Sequence, residues 1–230
     1  MLRIDRPKRT SLTLLALAFL LLFAQSAHAQ VREAGLKVGG GNSSMLFFFG
    51  PCPPEVGRGC AESAQPNQPR RGVAAGAFVR FGLRRGLSVQ PELLYAQKGY
   101  EVTGPTLHLS YVELPFLFRA DLRAPEARGL RPFLYGGPAP AVLVSCTVFG
   151  TTVQGPYRDR CGEADATPTG TDPAAYDLGL VLGGGLGYGR FALEVRHTRS
   201  LIDIGAWKGA EKSTNRALTV LLGYGVPVVW

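Results

Sequence analysis

The sequence predicts an all-β fold: an eight-stranded antiparallel up-and-down transmembrane β-barrel. Three observations lead there. Short apolar runs alternate residue by residue, with no helical period of useful length. The connections between them are alternately short and long. In the most regular runs the face opposite the aliphatic one holds glycine and alanine, which suit a narrow interior better than a water-exposed wall.

A chain of 230 residues is long enough for one closed barrel. Charged residues make up 18%, below the usual quarter, and there are 30 glycines. Aliphatic and aromatic residues are plentiful, which excludes a disordered chain. The net charge is +8, and Arg3, Arg6, Lys8 and Arg9 supply much of it. The excess left in the rest of the chain is mild and implies no nucleic-acid partner.

The elements follow in order. Residues 1–29 read as a signal peptide, with a basic start, the apolar run Leu12–Phe23 and a small-x-small site, Ala27-His28-Ala29, before Gln30. The apolar run is short for a membrane span, which needs roughly 20 residues. Residues 30–230 are then the exported barrel domain, expected in the outer membrane of a Gram-negative bacterium, with outer-membrane lipid as its surroundings. Strands are expected at 31–43, 72–83, 87–100, 107–122, 131–145, 176–188, 191–204 and 215–230. Leu83–Gly86, Arg123–Leu130 and Gly189–Arg190 are short connections and read as periplasmic turns. The stretches 44–71, 101–106, 146–175 and 205–214 are longer and read as outer loops.

The strand faces separate a membrane barrel from a soluble one. In 176–188, Leu178, Leu180, Leu182, Leu186 and Tyr188 oppose Gly179, Val181, Gly183, Gly185 and Gly187. In the last strand, Leu218, Val220, Leu222, Tyr224, Val226 and Val228 oppose Ala217, Thr219, Leu221, Gly223 and Gly225. A soluble lipocalin-like barrel would turn one of these faces to water, whereas a bilayer accepts the aliphatic one. The string GGGLGYG at 183–189 opens no helix, so it reads as strand and not as a phosphate loop.

The inward face should carry Arg80, Glu92, Lys98, Glu113, Arg119, Asp121, Glu194 and Arg196, beside Phe78, Phe133 and Tyr135. Buried charges must pair or hydrogen-bond. Glu113 is expected at the centre, with Glu113 and Glu92 pairing Arg119, Arg196 or both. The balance of signs favours a closed, ion-paired interior over a selective channel. The short turns hold Arg84, Arg85, Arg123, Arg128, Arg131 and Arg190 against Glu126, a basic rim or simply solvated turns.

Cys52, Cys60, Cys146 and Cys161 all lie beyond the signal segment, and an even count in an exported chain favours disulfides. The local pairing Cys52–Cys60 and Cys146–Cys161 is preferred among the connectivities. Both pairs fall in long loops on one side. No CxxC is present and only His108 and His197 remain, so neither metal nor cofactor is expected.

The segments PELLYAQKG (Pro91–Gly99), LSYVELPFLFR (Leu109–Arg119) and RPFLYGGPA (Arg131–Ala139) resemble the PorT-like outer-membrane β-barrel domain family. The resemblance implies an eight-stranded outer-membrane barrel and no single agreed activity. The alternating end with Tyr224 and Trp230 resembles the C-terminal signature that the barrel-assembly machinery reads. Trp230 alternatively serves as an interfacial anchor.

For function, the leading expectation is a structural, loop-displaying or partner-binding protein without catalysis. Loops 44–71 and 146–175 carry Phe47, Phe48, Phe49, Phe149 and Tyr157 beside the cysteines, which suits contact with an extracellular partner. The three phenylalanines alternatively seat in the outer leaflet. The other classes are a narrow small-solute pore and a rim hydrolase or acyltransferase. Candidates for the last are His108, Ser110, Ser145, Asp177 and Asp203, without a GxSxG or HExxH spacing.

Overall fold

A computed structural model of the chain describes residues 30–49, 63–66, 68–83, 86–101, 106–122, 129–152, 155–161, 173–205 and 212–228. The signal segment 1–29, Cys52, Cys60, Trp230 and the arginines at 84, 85, 123 and 128 lie outside them, as does Glu126.

The elements are β1 (Gln30–Phe49), β2 (Ser63–Pro66), β3 (Gln68–Gly82), β4 (Leu87–Glu101), β5 (Thr106–Glu113), β6 (Phe116–Asp121), β7 (Leu130–Thr152), β8 (Gly155–Arg160), β9 (Tyr176–Tyr188), β10 (Phe191–Ser200) and β11 (Lys212–Pro227). They form one sheet in the order β11-β10-β9-β7-β5-β4-β3-β1, and β1 pairs back onto β11. Because β6 continues the β5 stave between β4 and β7, the ring has eight staves. The closing seam runs antiparallel from Glu33↔Pro227 to Phe48↔Lys212. Closure satisfies backbone groups that would otherwise face hydrocarbon unpaired.

Side-chain alternation sets the two faces. On β11, Leu218, Val220, Leu222, Tyr224 and Val226 point out, while Ala217 and Leu221 are buried. On β9, Leu182 is 58% exposed and its neighbour Val181 is 0% exposed. Leu36, Val38, Val73, Leu93, Tyr95, Val142 and Val144 continue the outer apolar wall around the ring. An apolar surface of this extent fits the lipid-facing band of a membrane barrel, which is about 25 Å tall.

Inward glycines make room for aromatic rings. A Cβ at Gly183 would stand 2.7 Å from the Tyr135 ring, and one at Gly185 would stand 2.7 Å from the Phe133 ring. The pair Tyr188↔Phe191 closes a tight turn in which Gly189 takes φ +59°, a conformation that favours glycine.

Several expected boundaries shift. β1 and β7 run past the expected ends at 43 and 145, because β2 and β8 pair with their outer parts as hairpins. The strand expected over 107–122 is interrupted at Leu114-Pro115, since proline lacks the N–H that the ladder needs. The stave stays attached there: Glu92 N donates to Pro115 O at 2.9 Å and Leu114 N donates to Pro140 O at 2.8 Å. β10 ends at Ser200, short of the expected 204, and β11 starts at Lys212, ahead of the expected 215.

Candidate functional site

Among the described residues, the interior is built of side-chain layers that follow one another from the short turns to the outer end. Nearest the short turns, Arg80 pairs with Glu33, and Arg119 Nε donates to Asp121 Oδ1 at 2.9 Å. The Arg119 guanidinium also lies 3.4 Å from the centre of the Phe133 ring. Leu117, Phe133, Tyr135, Ala139 and Val181 pack together beside these pairs.

The middle layer is a charge quartet. Lys37 Nζ donates to Glu92 Oε1 and to Glu194 Oε2, each at 2.7 Å. Arg196 Nη2 donates to Glu92 Oε2 at 2.8 Å and to Glu194 Oε2 at 3.4 Å. Gln90 Nε2 gives Glu92 a third donor at 2.7 Å. The Phe78 and Tyr135 rings flank Lys37, with centroids 5.0 and 5.8 Å from Nζ. All four charged side chains are buried, and two positive charges meet two negative ones. Burial is tolerable only because each charge has more than one opposite partner.

Above the quartet, Lys98 Nζ reaches Glu113 Oε1 at 2.5 Å beside the Tyr111 ring. Ser200 Oγ donates to Asp177 Oδ2 at 2.7 Å, and Asn215 Nδ2 bonds both Tyr111 OH, at 3.3 Å, and Asp177 Oδ2, at 3.4 Å. An apolar layer then closes the outer end, built from Met45, Phe47, Tyr100, Leu107, Leu109 and Ile204. Two small cavities of about 30 and 20 Å³ lie in this interior, the first reaching Arg196 and the second reaching Glu194. The quartet stands between them.

All eight charges expected inside do face the interior, and the expected pair Glu92–Arg196 forms at 2.8 Å, but the rest of the pairing differs from expectation. Glu113 pairs with Lys98, not with Arg119 or Arg196, and it is not the centre. Arg119 lies six positions further along the stave, roughly 20 Å at strand rise, so it meets Asp121 instead. Arg196 reaches Glu92 across the lumen and Glu194 two residues earlier on its own face. The centre is Lys37, which the inward set omitted. Its signal was the alternation Leu36-Lys37-Val38, whose flanking aliphatic residues point outward.

The rim residues considered for catalysis do not converge. Asp177 is buried inside, while His108, Ser110 and Ser145 point outward. Ser110 Oγ accepts from Tyr95 OH at 2.9 Å, and His108 Nδ1 pairs with Arg70 Nη2 at 2.8 Å. Asp203 Oδ1 accepts from Gly205 N and Ser213 N at 2.9 and 2.8 Å, a turn-holding role. His197 is exposed on the lipid side of β10.

At the outer end, Cys146 and Cys161 are bonded, with Cα atoms 5.4 Å apart, and tie β8 to β7. The bridge packs against the Met45–Leu109 layer. Phe47 does not reach the leaflet: it turns inward and meets Tyr100 edge-on, with centroids 5.3 Å apart. The side chains of Phe48 and Phe49 lie outside the described residues.

A closed ring with an aliphatic exterior and an ion-paired interior matches, over residues 23–205, the family described as outer membrane protein β-barrel domain. The chain belongs to that family. This outer-membrane barrel resides in the outer membrane of a Gram-negative bacterium. No curated protein matches it. Among solved structures it is similar to Neisserial surface protein A, at 8% identity over 83% of this chain and 96% of that one, with a TM-score of 0.42. It is also similar to Ail, the attachment invasion locus protein of Yersinia pestis, at 10% identity over 86% of this chain and 100% of that one, TM-score 0.41. A third is the outer membrane protein AlkL, whose structure was determined in lipid bilayers, at 9% identity over 90% and 95% of the two chains, TM-score 0.42.

Proposed function

We propose that this outer-membrane barrel is a closed, non-conducting and non-catalytic anchor. It holds the β1–β2 and β7–β8 hairpins outside the cell for contact with a partner. The supporting observation is the buried quartet Lys37–Glu92–Arg196–Glu194, capped by the Met45–Tyr100 apolar layer. A solute path would have to strip four charges of their partners at once, and each such break costs about 3–5 kcal/mol. The bridged hairpin supplies a rigid stalk at the side where loops are long.

The test has two parts. Barrels reconstituted in planar bilayers should show no unitary conductance, and steady current steps in the unaltered protein would overturn the closed reading. A photo-crosslinker at Pro156 on β8, in intact cells, should capture a discrete adduct that one at Leu222, mid-wall, does not. Identical patterns from both sites would overturn display.

Three narrower assignments belong to the same proposal. The segments Pro91–Gly99, Leu109–Arg119 and Arg131–Ala139 support membership of the PorT-like group. The Ala27-His28-Ala29 site supports cleavage before Gln30, which N-terminal sequencing of the membrane-resident protein checks. Recognition by the barrel-assembly machinery through the terminal strand is supported by the outward row Leu218–Val226. It predicts that deleting Trp230 lowers the assembled fraction.

A further inference from the structure

The outward face of the barrel changes character where the apolar wall ends toward the long loops. Descending β3, the exposed residues are Arg71, Val73, Ala75 and Ala77. On β4, Leu93 and Tyr95 give way to Gln97, and on β5 Val112 gives way to Ser110 and His108. Across this edge runs a ladder of basic and aromatic groups. Arg70 lies over Gly99 and meets His108 Nδ1 at 2.8 Å, its other nitrogen donating to Lys98 O at 3.0 Å. His108 stacks obliquely on Phe149, with centroids 4.4 Å apart. Arg158 lies 5.1 Å from the same Phe149 ring, and Arg160 shares its exposed face of β8. The acids nearby are Glu101, exposed beside Arg70, and Asp159, on the other face of β8.

The neutral imidazole has a defined orientation. A guanidinium only donates, so His108 Nδ1 accepts from Arg70 and the ring proton sits on Nε2, available to an acceptor outside. Four guanidinium groups, of Arg70, Arg71, Arg158 and Arg160, and one N–H thus gather along the outer edge of the apolar wall. The Arg70 and Arg158 ends stand roughly 10 Å apart, about two strand spacings.

Beyond Val73 on the same face of β3, the lipid side of the barrel holds a groove of about 750 Å³, floored by Ala75 and Ala77, walled by Leu36, Leu93 and Tyr95 and running on to Leu222 and Tyr224. It lies within the apolar wall and is open along one side. Small side chains on β3 between taller ones on β1 and β4 make it.

We propose that Arg70, Arg71, His108, Arg158 and Arg160 bind the phosphate groups of a phosphorylated glycolipid of the outer leaflet, one of whose acyl chains lies in the groove over Ala75 and Ala77. Guanidinium groups suit phosphate because they donate in a planar fork. The position suits a lipid over a soluble anion, since the basic edge borders the apolar wall that holds the groove, with only Val73 between Arg71 and Ala75 on the exposed face of β3. This site depends on the outer-membrane placement and is independent of whether the loops display a partner.

The test uses the folded full-length barrel in detergent and native mass spectrometry, with diphosphorylated lipid A and its dephosphorylated form as probes. The phosphorylated lipid should bind at least about tenfold more tightly. Replacing Arg70, Arg71 and Arg158 by Gln should weaken it by roughly fivefold per arginine, on the order of a hundredfold in all. Replacing Arg199, Lys212 and Arg216 by Gln removes the same charge from another part of the rim and should change binding less than about threefold. The compact unboiled band on gels checks that each variant is folded. If the triple variant does not fold, Arg158→Gln alone, on the outer hairpin, should still weaken binding about fivefold. Filling the groove with Ala75→Leu and Ala77→Leu should weaken the acylated lipid and leave the deacylated phosphorylated headgroup unaffected. Equal binding of the two lipids, equal loss in both triple variants, or displacement by inorganic phosphate at matched concentration would each overturn the proposal. The last outcome would indicate a small-anion site.

Discussion

Removing the charge of Glu92 tests whether the lumen quartet is one coupled unit. Glu92 accepts from Lys37, Gln90 and Arg196 at 2.7, 2.7 and 2.8 Å, all buried. At an effective dielectric of about 20, a single charge pair at this distance attracts by about 6 kcal/mol before desolvation is subtracted. Glu92→Gln leaves two cations against Glu194 alone in a dry interior. The net cost expected for breaking such a buried pair is about 3–5 kcal/mol. Lys37→Met should cost a similar amount, by leaving the two carboxylates with Arg196 alone. The double variant restores neutrality, since Arg196 and Glu194 still face each other at 3.4 Å. It should therefore be more stable than the sum of the singles implies, with a coupling of up to about 3 kcal/mol. The assay is reversible urea unfolding in lipid vesicles, followed by tryptophan fluorescence and by loss of the compact unboiled band. Costs that add within about 0.5 kcal/mol, or a Glu92→Gln cost below about 1 kcal/mol, would refute the coupled-quartet account.

Other expectations bear on different layers. Leu182→Arg places a charge on the exposed wall at mid-strand and should destabilise the barrel by about 2–4 kcal/mol in vesicles; a neutral effect would mean that this face does not meet lipid. Gly185→Leu drives a side chain into the Phe133 ring and should cost about 1–3 kcal/mol or block folding, as read from the unboiled band. Replacing Cys146 and Cys161 by Ser opens a bridge between residues 15 apart and should lower the stability of the outer hairpin by up to about 3 kcal/mol. Limited proteolysis should then cut between β7 and β8 while the membrane-embedded part stays intact; an unchanged digestion pattern would mean that the bridge does not hold the hairpin.

Much of this architecture was legible from local pattern, because side-chain direction in a strand has a period of two. Alternation alone assigned Leu182 and Leu222 to lipid and Val181 and Leu221 to the interior, and alternating connection lengths separated the two ends. The same period placed the eight named charges inside. Beyond the Glu92–Arg196 pair, which charge meets which was not legible, because pairing depends on register and on distance along and across a closed ring. Glu113 looked central from its position in one strand, yet Lys98 on the adjacent β4 is the cation within its reach. Lys37 sits in a glycine-rich strand with little amphipathic contrast, and its central role arises only when β1 closes onto β11. The Arg70–His108–Phe149–Arg158 ladder likewise joins four separate elements, β3, β5, β7 and β8. Sequence determined the faces, since each residue's neighbours in the chain decide them. Tertiary structure decided the partners, since the quartet's members lie up to 157 positions apart and meet only through the shear and closure of the ring.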